Sequence, residues 1–497
     1  MRSRFHKWFV VLGLAWSCPA FSQGKVEETW DIMQIQGQKS GHTYTITDQV
    51  ENNGRVDTRT KATAEVSLKR FNQSTNVKST LETRETPDGK LYYTDYSMMM
   101  SGQETRTVGE LQGDGKFMLT LSTQGKTTKS EIQWKDSIVG PAGSERLIKE
   151  KKLKPGETLT YESFSPDVSK LCTFTVKAIA REEIVTFDGK KVDALKVEEK
   201  NSAVPFITSV NWIDDNGVRL KSSVTIPGLG DMVSFRTTKE KALEGVADAR
   251  VDVGIQSLII PDKKITGMHA KKSVTYKFEL ASKEDAALIP ADWYQEKLGQ
   301  DDNILTVKIR QVVPSADEDK VDPNVAEEFL KPNGFIQSDN PKIIAAAKEG
   351  IGEAKTPWEK AKNLEKYVNK KIKKKNYSTG FATAAEVIDT CEGDCTEHSV
   401  LLTACCRAAG VPARGAMGLV YVEQENFFGY HMWSEVNIGG KWYPIDAVFG
   451  YGHATAGHIK IGDGSLKGVS AMETFIPVLN VMGKLKKIKV DSIESAE

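Results

Sequence analysis

The run His431-Met432-Trp433-Ser434-Glu435-Val436-Asn437-Ile438, then Gly439-Gly440, then Lys441-Trp442-Tyr443-Pro444-Ile445-Asp446, constrains this chain more than any other stretch. Two strand-like runs flank a glycine pair, the make-up of a two-residue hairpin loop whose residues both need positive φ. A loop of that length fixes the register: Ile438 faces Lys441, and counting back sets Trp433 opposite Asp446. His431 lies two residues from Trp433, so it shares that face and sits diagonal to Asp446, within side-chain reach. Met432, Val436, Tyr443, Ile445 and Ala447 collect on the other face, which suits a core. The hairpin is therefore expected to present a His–Asp pair.

A third candidate precedes it. In Gly393-Asp394-Cys395-Thr396-Glu397-His398, Asp394 reads as a helix N-cap and Glu397 completes a capping box. Val400, Leu401, Ala404, Cys405 and Ala408 recur at helical spacing, and Gly410 with Pro412 ends the helix. Cys395 falls in the first turn, where unpaired N–H groups and the helix dipole are expected to favour the thiolate that nucleophilic catalysis uses. His398, one turn further on, cannot readily approach Cys395 while Asp446 orients it, and is read as structural.

These motifs, together with Ala385-Glu386-Val387-Ile388 and Arg407-Ala408-Ala409-Gly410-Val411-Pro412-Ala413-Arg414, resemble the bacterial transglutaminase-like superfamily over about Asp339 to Gly464. The resemblance implies a papain-like site with Cys395 as nucleophile, His431 as base and then acid, and Asp446 orienting the imidazole. It implies attack on a glutamine carboxamide or a peptide bond, through a Cys thioester that passes to an amine or to water. That chemistry needs no cofactor, no metal spacing is present, and no Asp-rich calcium loop occurs. The partner is then a protein or peptide substrate. The competing expectation is a catalytically silent transglutaminase-like binding module beside a lipid- or protein-binding β domain.

The remainder of the chain sets the context. Its 497 residues carry 67 basic and 67 acidic side chains, so net charge points to neither nucleic acid nor an acidic surface. Residues 1–23 have the pattern of a signal peptide: Arg2, Arg4 and Lys7, an apolar run from Trp8 to Trp16, then Ala20-Phe21-Ser22. Export to the periplasm or outside the cell is expected. No run reaches the length of a transmembrane segment. Ala15-Trp16-Ser17-Cys18 departs from a lipobox at Trp16, so membrane association is expected only if Cys18 is lipidated. Five further cysteines, Cys172, Cys391, Cys395, Cys405 and Cys406, are too sparse for a disulfide scaffold.

The fold class expected is multidomain α+β: a β-rich N-terminal half, made of a curved antiparallel sheet plus a small β-sandwich, followed by a papain-like core. Residues 24–240 read almost wholly as antiparallel strands, with Asn53-Gly54, Asp88-Gly89, Asp114-Gly115, Asp188-Gly189 and Asn216-Gly217 at tight turns and no long helical pattern. Trp30-Asp31-Ile32-Met33 and the Trp212 to Gly217 turn resemble, in pattern, periplasmic half-barrels of the lipoprotein-carrier type. A polar helical linker follows near Thr237 to Gly245. Residues 250–320 read as a small β-sandwich-like domain and 325–497 as the catalytic domain. The latter opens with a helix capped by Ser338 or Asp339 and a second with Thr356-Pro357-Trp358-Glu359 as its capping box. The lysines at 370–375 read as a solvated helix end, and Trp358 and Trp442 as core or cleft-wall residues. Phe427-Phe428-Gly429-Tyr430, aromatic with a glycine break, is expected to wall the site and bend over it, with Trp433 adding to the wall.

Overall fold

The structure is a computed structural model and describes residues 26–70, 73–100, 103–123, 126–227, 229–245, 251–252, 257–374, 382–467 and 471–495. The signal sequence expected at 1–23, including Cys18, lies outside the described residues. Contacts divide the chain into two compact units that meet in sequence at Asp252–Val253.

The N-terminal unit is built on one antiparallel sheet of fourteen strands. Strands from Glu27 to Gln133 form one meander and those from Thr158 to Thr237 another, joined where Glu27–Ile35 pairs with Gly230–Thr237. The expected turns are present: Asn53 and Gly54 both take positive φ, 52° and 81°, which a two-residue hairpin between Asn52 and Arg55 demands. Met98 to Met100 alternate along a strand, with Met99 exposed, so they do not line a common face.

One element corrects the all-strand reading of this region, the helix Pro141–Lys151. Proline at its first turn is a helix-start signal, but the helix buries only Gly143 fully, so the apolar periodicity that identifies most helices is missing. Its first amides are held by Glu85, whose carboxylate oxygens accept from Ala142 N–H at 3.0 Å and Gly143 N–H at 2.7 Å. Burial nevertheless pushes the Glu85 carboxyl up to about 7. Gly143 admits no side chain, because a Cβ there would lie 2.4 Å from the Gly89 carbonyl oxygen.

The C-terminal unit contains two four-stranded sheets. The strands expected at 250–320 are present as Lys271–Leu280, Gln295–Asp301 and Ile304–Arg310, and the C-terminal strand Leu485–Ser495 completes their sheet. The layer facing them is the second four-stranded sheet: Tyr276 packs edge-on against Phe428, and Tyr294 Oη donates to Glu435 at 2.6 Å. That sheet orders Lys441–Ile445, Phe427–Ile438, Ala413–Val422 and His458–Gly464. Helices Pro341–Ile351, Pro357–Lys371 and Ala384–Thr390 surround the helix Cys395–Ala408, which lies against Phe427–Ile438. The first of these is capped by Asn340, not by Ser338 or Asp339, since the Asn340 side chain accepts from Lys342 N–H at 2.9 Å. The Thr356 capping box forms as read. No helix among the described residues is long and apolar enough to cross a membrane.

Candidate active site

The hairpin register is the one the glycine pair dictates. Ile438 pairs with Lys441 and Ser434 with Ile445, and Gly439 and Gly440 take φ of 57° and 86°. This register carries His431 diagonally to Asp446, and Nε2 of the imidazole lies 2.6 Å from the carboxylate Oδ2. A carboxylate can only accept, so Nε2 carries the proton and Nδ1 keeps the lone pair. Both side chains are buried, at 0% and 1% exposure. Burial by itself would raise the Asp446 carboxyl; the two histidines it contacts outweigh that and hold it well below the usual carboxylate range.

The second of those histidines is one that sequence reasoning missed. His458 opens the strand His458–Gly464 and approaches the same oxygen of Asp446 at 3.0 Å. Its Nδ1 accepts from the Thr455 backbone N–H at 3.0 Å, so its Nε2 bears the hydrogen that Asp446 receives. Burial lowers its pKa and keeps it neutral. His431, Asp446 and His458 bring their ligating atoms within 4.8 Å of one another, a spacing that could suit a cation. The His458 tautomer does not fit one, because the nitrogen turned to the cluster is the protonated one. No motif marks His458 in sequence; only the return of a later strand to the sheet brings it to Asp446.

Glu365, on the helix Pro357–Lys371, was also missed. Its Oε1 accepts from the Asp446 backbone N–H at 3.1 Å, and the side chain is fully buried. Burial, reinforced by the Asp446 charge, pushes this carboxyl up to about 8, so it is protonated at neutral pH.

Cys395 begins its helix as expected, with Asp394 as N-cap and the Glu397 capping box formed. Asp394 N–H donates to Glu397 at 2.8 Å, and Thr396 N–H to Asp394 at 3.0 Å. Burial works against the thiolate expected at this position. Cys395 is 1% exposed, and its thiol is pushed well above the usual range by burial first, then by the Asp394 and Glu397 carboxyls of the capping box. The Met432 backbone N–H works the other way and points at the sulfur from the residue after His431. Burial and the capping-box carboxyls thus work against the thiolate at the first residue of the helix.

His398 is structural, as read: its Nδ1 donates to the Asp394 carbonyl oxygen at 2.5 Å. Cys172, Cys391, Cys395, Cys405 and Cys406 are all free thiols. The Phe427 to Tyr430 stretch does not bend over the site. Its residues pair in full with Leu419 to Val422, and Phe428 packs against Tyr276 and Tyr421. Strand pairing captures the glycine break that suggested a flap. The aromatic wall comes instead from Trp433, stacked on His431 at 6.2 Å, and from Phe449 at 5.9 Å, which stacks in turn on half-exposed Tyr451. Trp358 is core, packed near Tyr443, and Trp442 lies under Arg414 at 4.2 Å.

Several motif residues hold the scaffold. Glu386 closes a capping box on Thr383. Buried Arg407 donates to the carbonyls of Ala413, Lys331 and Ser465. Glu435 is ion-paired with Arg414 at 2.7 Å and Lys460 at 3.2 Å. Lys370 and Lys371 sit in the last turn of the helix Pro357–Lys371, Lys374 beyond it pairs with Glu392 at 2.8 Å, and Lys375 lies outside the described residues.

Known proteins resemble this chain in parts. Residues 344–447 match the family model of the transglutaminase-like superfamily, a span that includes Cys395, His431 and Asp446. No curated protein matches. Among solved structures, a candidate cysteine protease from Cytophaga hutchinsonii is similar at 18% identity and a TM-score of 0.31, over 46% of this chain and 85% of that one. A β-barrel-like protein from Brucella abortus is similar at 13% identity and a TM-score of 0.32, over 43% and 96%. A candidate protease from Parabacteroides distasonis reaches 12% identity and a TM-score of 0.18, over 70% and 64%.

Proposed function

We propose, from the premise that the C-terminal region is transglutaminase-like, that Cys395, His431 and Asp446 form a catalytic triad acting on carboxamides of a protein or peptide. The observation that carries this reading is the buried contact of 2.6 Å between His431 Nε2 and Asp446 Oδ2, which leaves Nδ1 as a base. His431 Nδ1 takes the Cys395 thiol proton as sulfur attacks a glutamine carboxamide or peptide carbonyl. It then gives that proton to the departing ammonia or amine as the tetrahedral adduct collapses to a thioester. An amine or water next attacks the thioester, its proton passes to Nδ1, and the thiol is restored. Asp446 holds the tautomer and stabilises the imidazolium.

For the oxyanion, the Cys395 backbone N–H is one donor. The second is Trp433 Nε1, which is buried without a hydrogen-bond partner among the described residues and whose ring stacks on His431. We read acyl transfer to an amine as the principal outcome and hydrolysis as its competitor. Export, resting on the pattern at 1–23 alone, is part of the same reading.

The test supplies a glutamine peptide with a labelled primary amine and counts incorporation against ammonia release. Incorporation into the peptide supports transfer; ammonia alone at high amine concentration assigns amide hydrolysis. One observation favours the second reading, a silent module: the near-complete burial of Cys395. If native Cys395 resists iodoacetamide and neither ammonia nor incorporation appears, that reading replaces the first.

A further inference from the structure

The N-terminal unit holds a half-open cavity of about 230 Å³, walled by both meanders of its sheet and by one side of the helix Pro141–Lys151. Four polar side chains on its wall are unusual. Ser79, Thr94, Ser209 and Asn211 are at least nine-tenths buried, and Oγ, Oγ1, Oγ and Oδ1 respectively have no hydrogen-bond partner among the described residues. They come from strands far apart in sequence, Gln73–Glu85 and Leu91–Met100 on one side and Thr208–Ile213 on the other, yet all converge on one space. A fold that needed only to be stable would have carried Val or Ala at such positions, since a buried polar atom left unmade costs free energy that an apolar isostere does not.

The rest of the lining narrows the guest. Tyr161 and Phe174 stack with centroids 5.3 Å apart and planes 3° from parallel, and with Tyr96 they give the lining aromatic surface. Asp167 and Glu199 also line the space and offer carboxyl oxygens to the hydroxyls of a guest; burial pushes both carboxyls up, and the Arg219 charge opposes this at Glu199. Arg219 on the same wall shares Asp31, at 3.6 Å, with Arg236, at 3.0 Å, and Glu145 and Glu199 add the negative charge that answers it without an anionic guest. An acyl chain would leave the hydroxyls dry. A ring with hydroxyl groups on its edge and C–H groups on its face satisfies the hydroxyls, the carboxyls and the aromatic surface together.

We propose that this cavity is a binding site for a small neutral saccharide of one or two sugar units. The proposal does not depend on the catalytic reading of the C-terminal unit, and either can fail without the other.

The full chain is titrated by calorimetry with maltose, cellobiose and chitobiose, and separately with laurate and spermidine. At least one disaccharide is expected to bind and to raise the thermal midpoint. Thr94→Val and Ser209→Ala each remove an unsatisfied hydroxyl, so they are expected to raise the midpoint of the free protein while weakening saccharide binding by about 3- to 10-fold, the worth of one hydrogen bond. A merely structural hydroxyl would not move the two readouts in opposite directions. Should Asn211→Leu fold poorly, the Thr94 and Ser209 variants still decide the matter. Binding of laurate that tightens in Thr94→Val would assign the cavity to an apolar chain and overturn the proposal. Spermidine binding that is lost on acidification would assign it to a cation and overturn it equally. If none of the three disaccharides binds, the hydroxyls are solvated by water alone and the proposal is wrong.

Discussion

In the C-terminal unit, Asp446 receives two histidines and Glu435 is met by Arg414, Lys460 and Tyr294, whereas in the N-terminal unit Ser79, Thr94, Ser209 and Asn211 face a cavity without a partner among the described residues. A charge that must act on a small reacting group needs its geometry complete beforehand, because a loosely held carboxylate cannot fix a tautomer. Polar groups meant for a guest must wait for it, since any internal partner would compete. The two units thus separate polarity that is finished by the fold from polarity that is left open.

The largest test of that distinction is Cys395→Ala. Activity on a glutamine peptide is expected to fall to background, at least about 10³-fold, with no more than ~1 kcal/mol lost in urea unfolding, because a first-turn helix position does not require sulfur. Undiminished activity in the alanine variant would end the catalytic reading. Asp446→Asn comes next, with an expected loss of about 10³ to 10⁴ in kcat. An amide can donate as well as accept, so it no longer dictates which nitrogens of His431 and His458 carry the hydrogen. Intact activity would mean that His431 is oriented from elsewhere.

Trp433→Phe keeps the stacked ring and removes only the indole N–H. If Nε1 meets the oxyanion, kcat is expected to fall by about 10² to 10³ with KM little changed. A rise in KM alone would instead make Trp433 part of the substrate wall. Glu435→Gln addresses the scaffold. Burial opposes the Glu435 charge, but Lys460 and Arg414 outweigh it and hold the carboxyl low. The variant is expected to lose about 3 kcal/mol of stability, as for a broken buried pair, read from the unfolding midpoint. A loss below about 1 kcal/mol would show that Asp292 and Asp463, which also meet Lys460, suffice for its charge.

The comparison also explains what could be read in advance. The glycine pair at 439–440 and the boxes at Thr356 and Asp394 act over a few residues, so local rules settled the hairpin register and two helix starts. Those local rules sufficed to bring His431 to Asp446. They could not reveal His458 or Glu365, because each reaches Asp446 from a separate element and neither belongs to a pattern. The burial that opposes a Cys395 thiolate was hidden for a related reason. The dipole is a property of the helix alone, whereas desolvation depends on everything packed around it. In the N-terminal unit the turns were legible because glycine punctuates them, and Pro141–Lys151 was not because it buries so little. The cavity could not be foreseen at all, since it arises from strands more than a hundred residues apart.

The smallest effect expected comes from Glu365, and it tests whether the cluster around Asp446 is as complete as its hydrogen bonds suggest. The carboxyl titrates near 4.5 when unperturbed and at about 8 in the folded site. Between those values the folded chain holds a proton that the unfolded chain has released. Stability from this group is therefore highest at low pH and falls as pH rises, by about 1.4 kcal/mol per pH unit at most and no further above about 8. Glu365→Gln reproduces the protonated form, retaining an acceptor for the Asp446 N–H. Urea unfolding at pH 5.5, 6.5, 7.5 and 8.5 should show the wild-type chain losing stability along the series and the glutamine variant losing less, with near-equal activity at neutral pH. Parallel slopes in the two proteins would mean that Glu365 is already ionised at neutral pH. Asp446 would then face a second negative charge across its own backbone, and His431 and His458 would be countering two carboxylates instead of one.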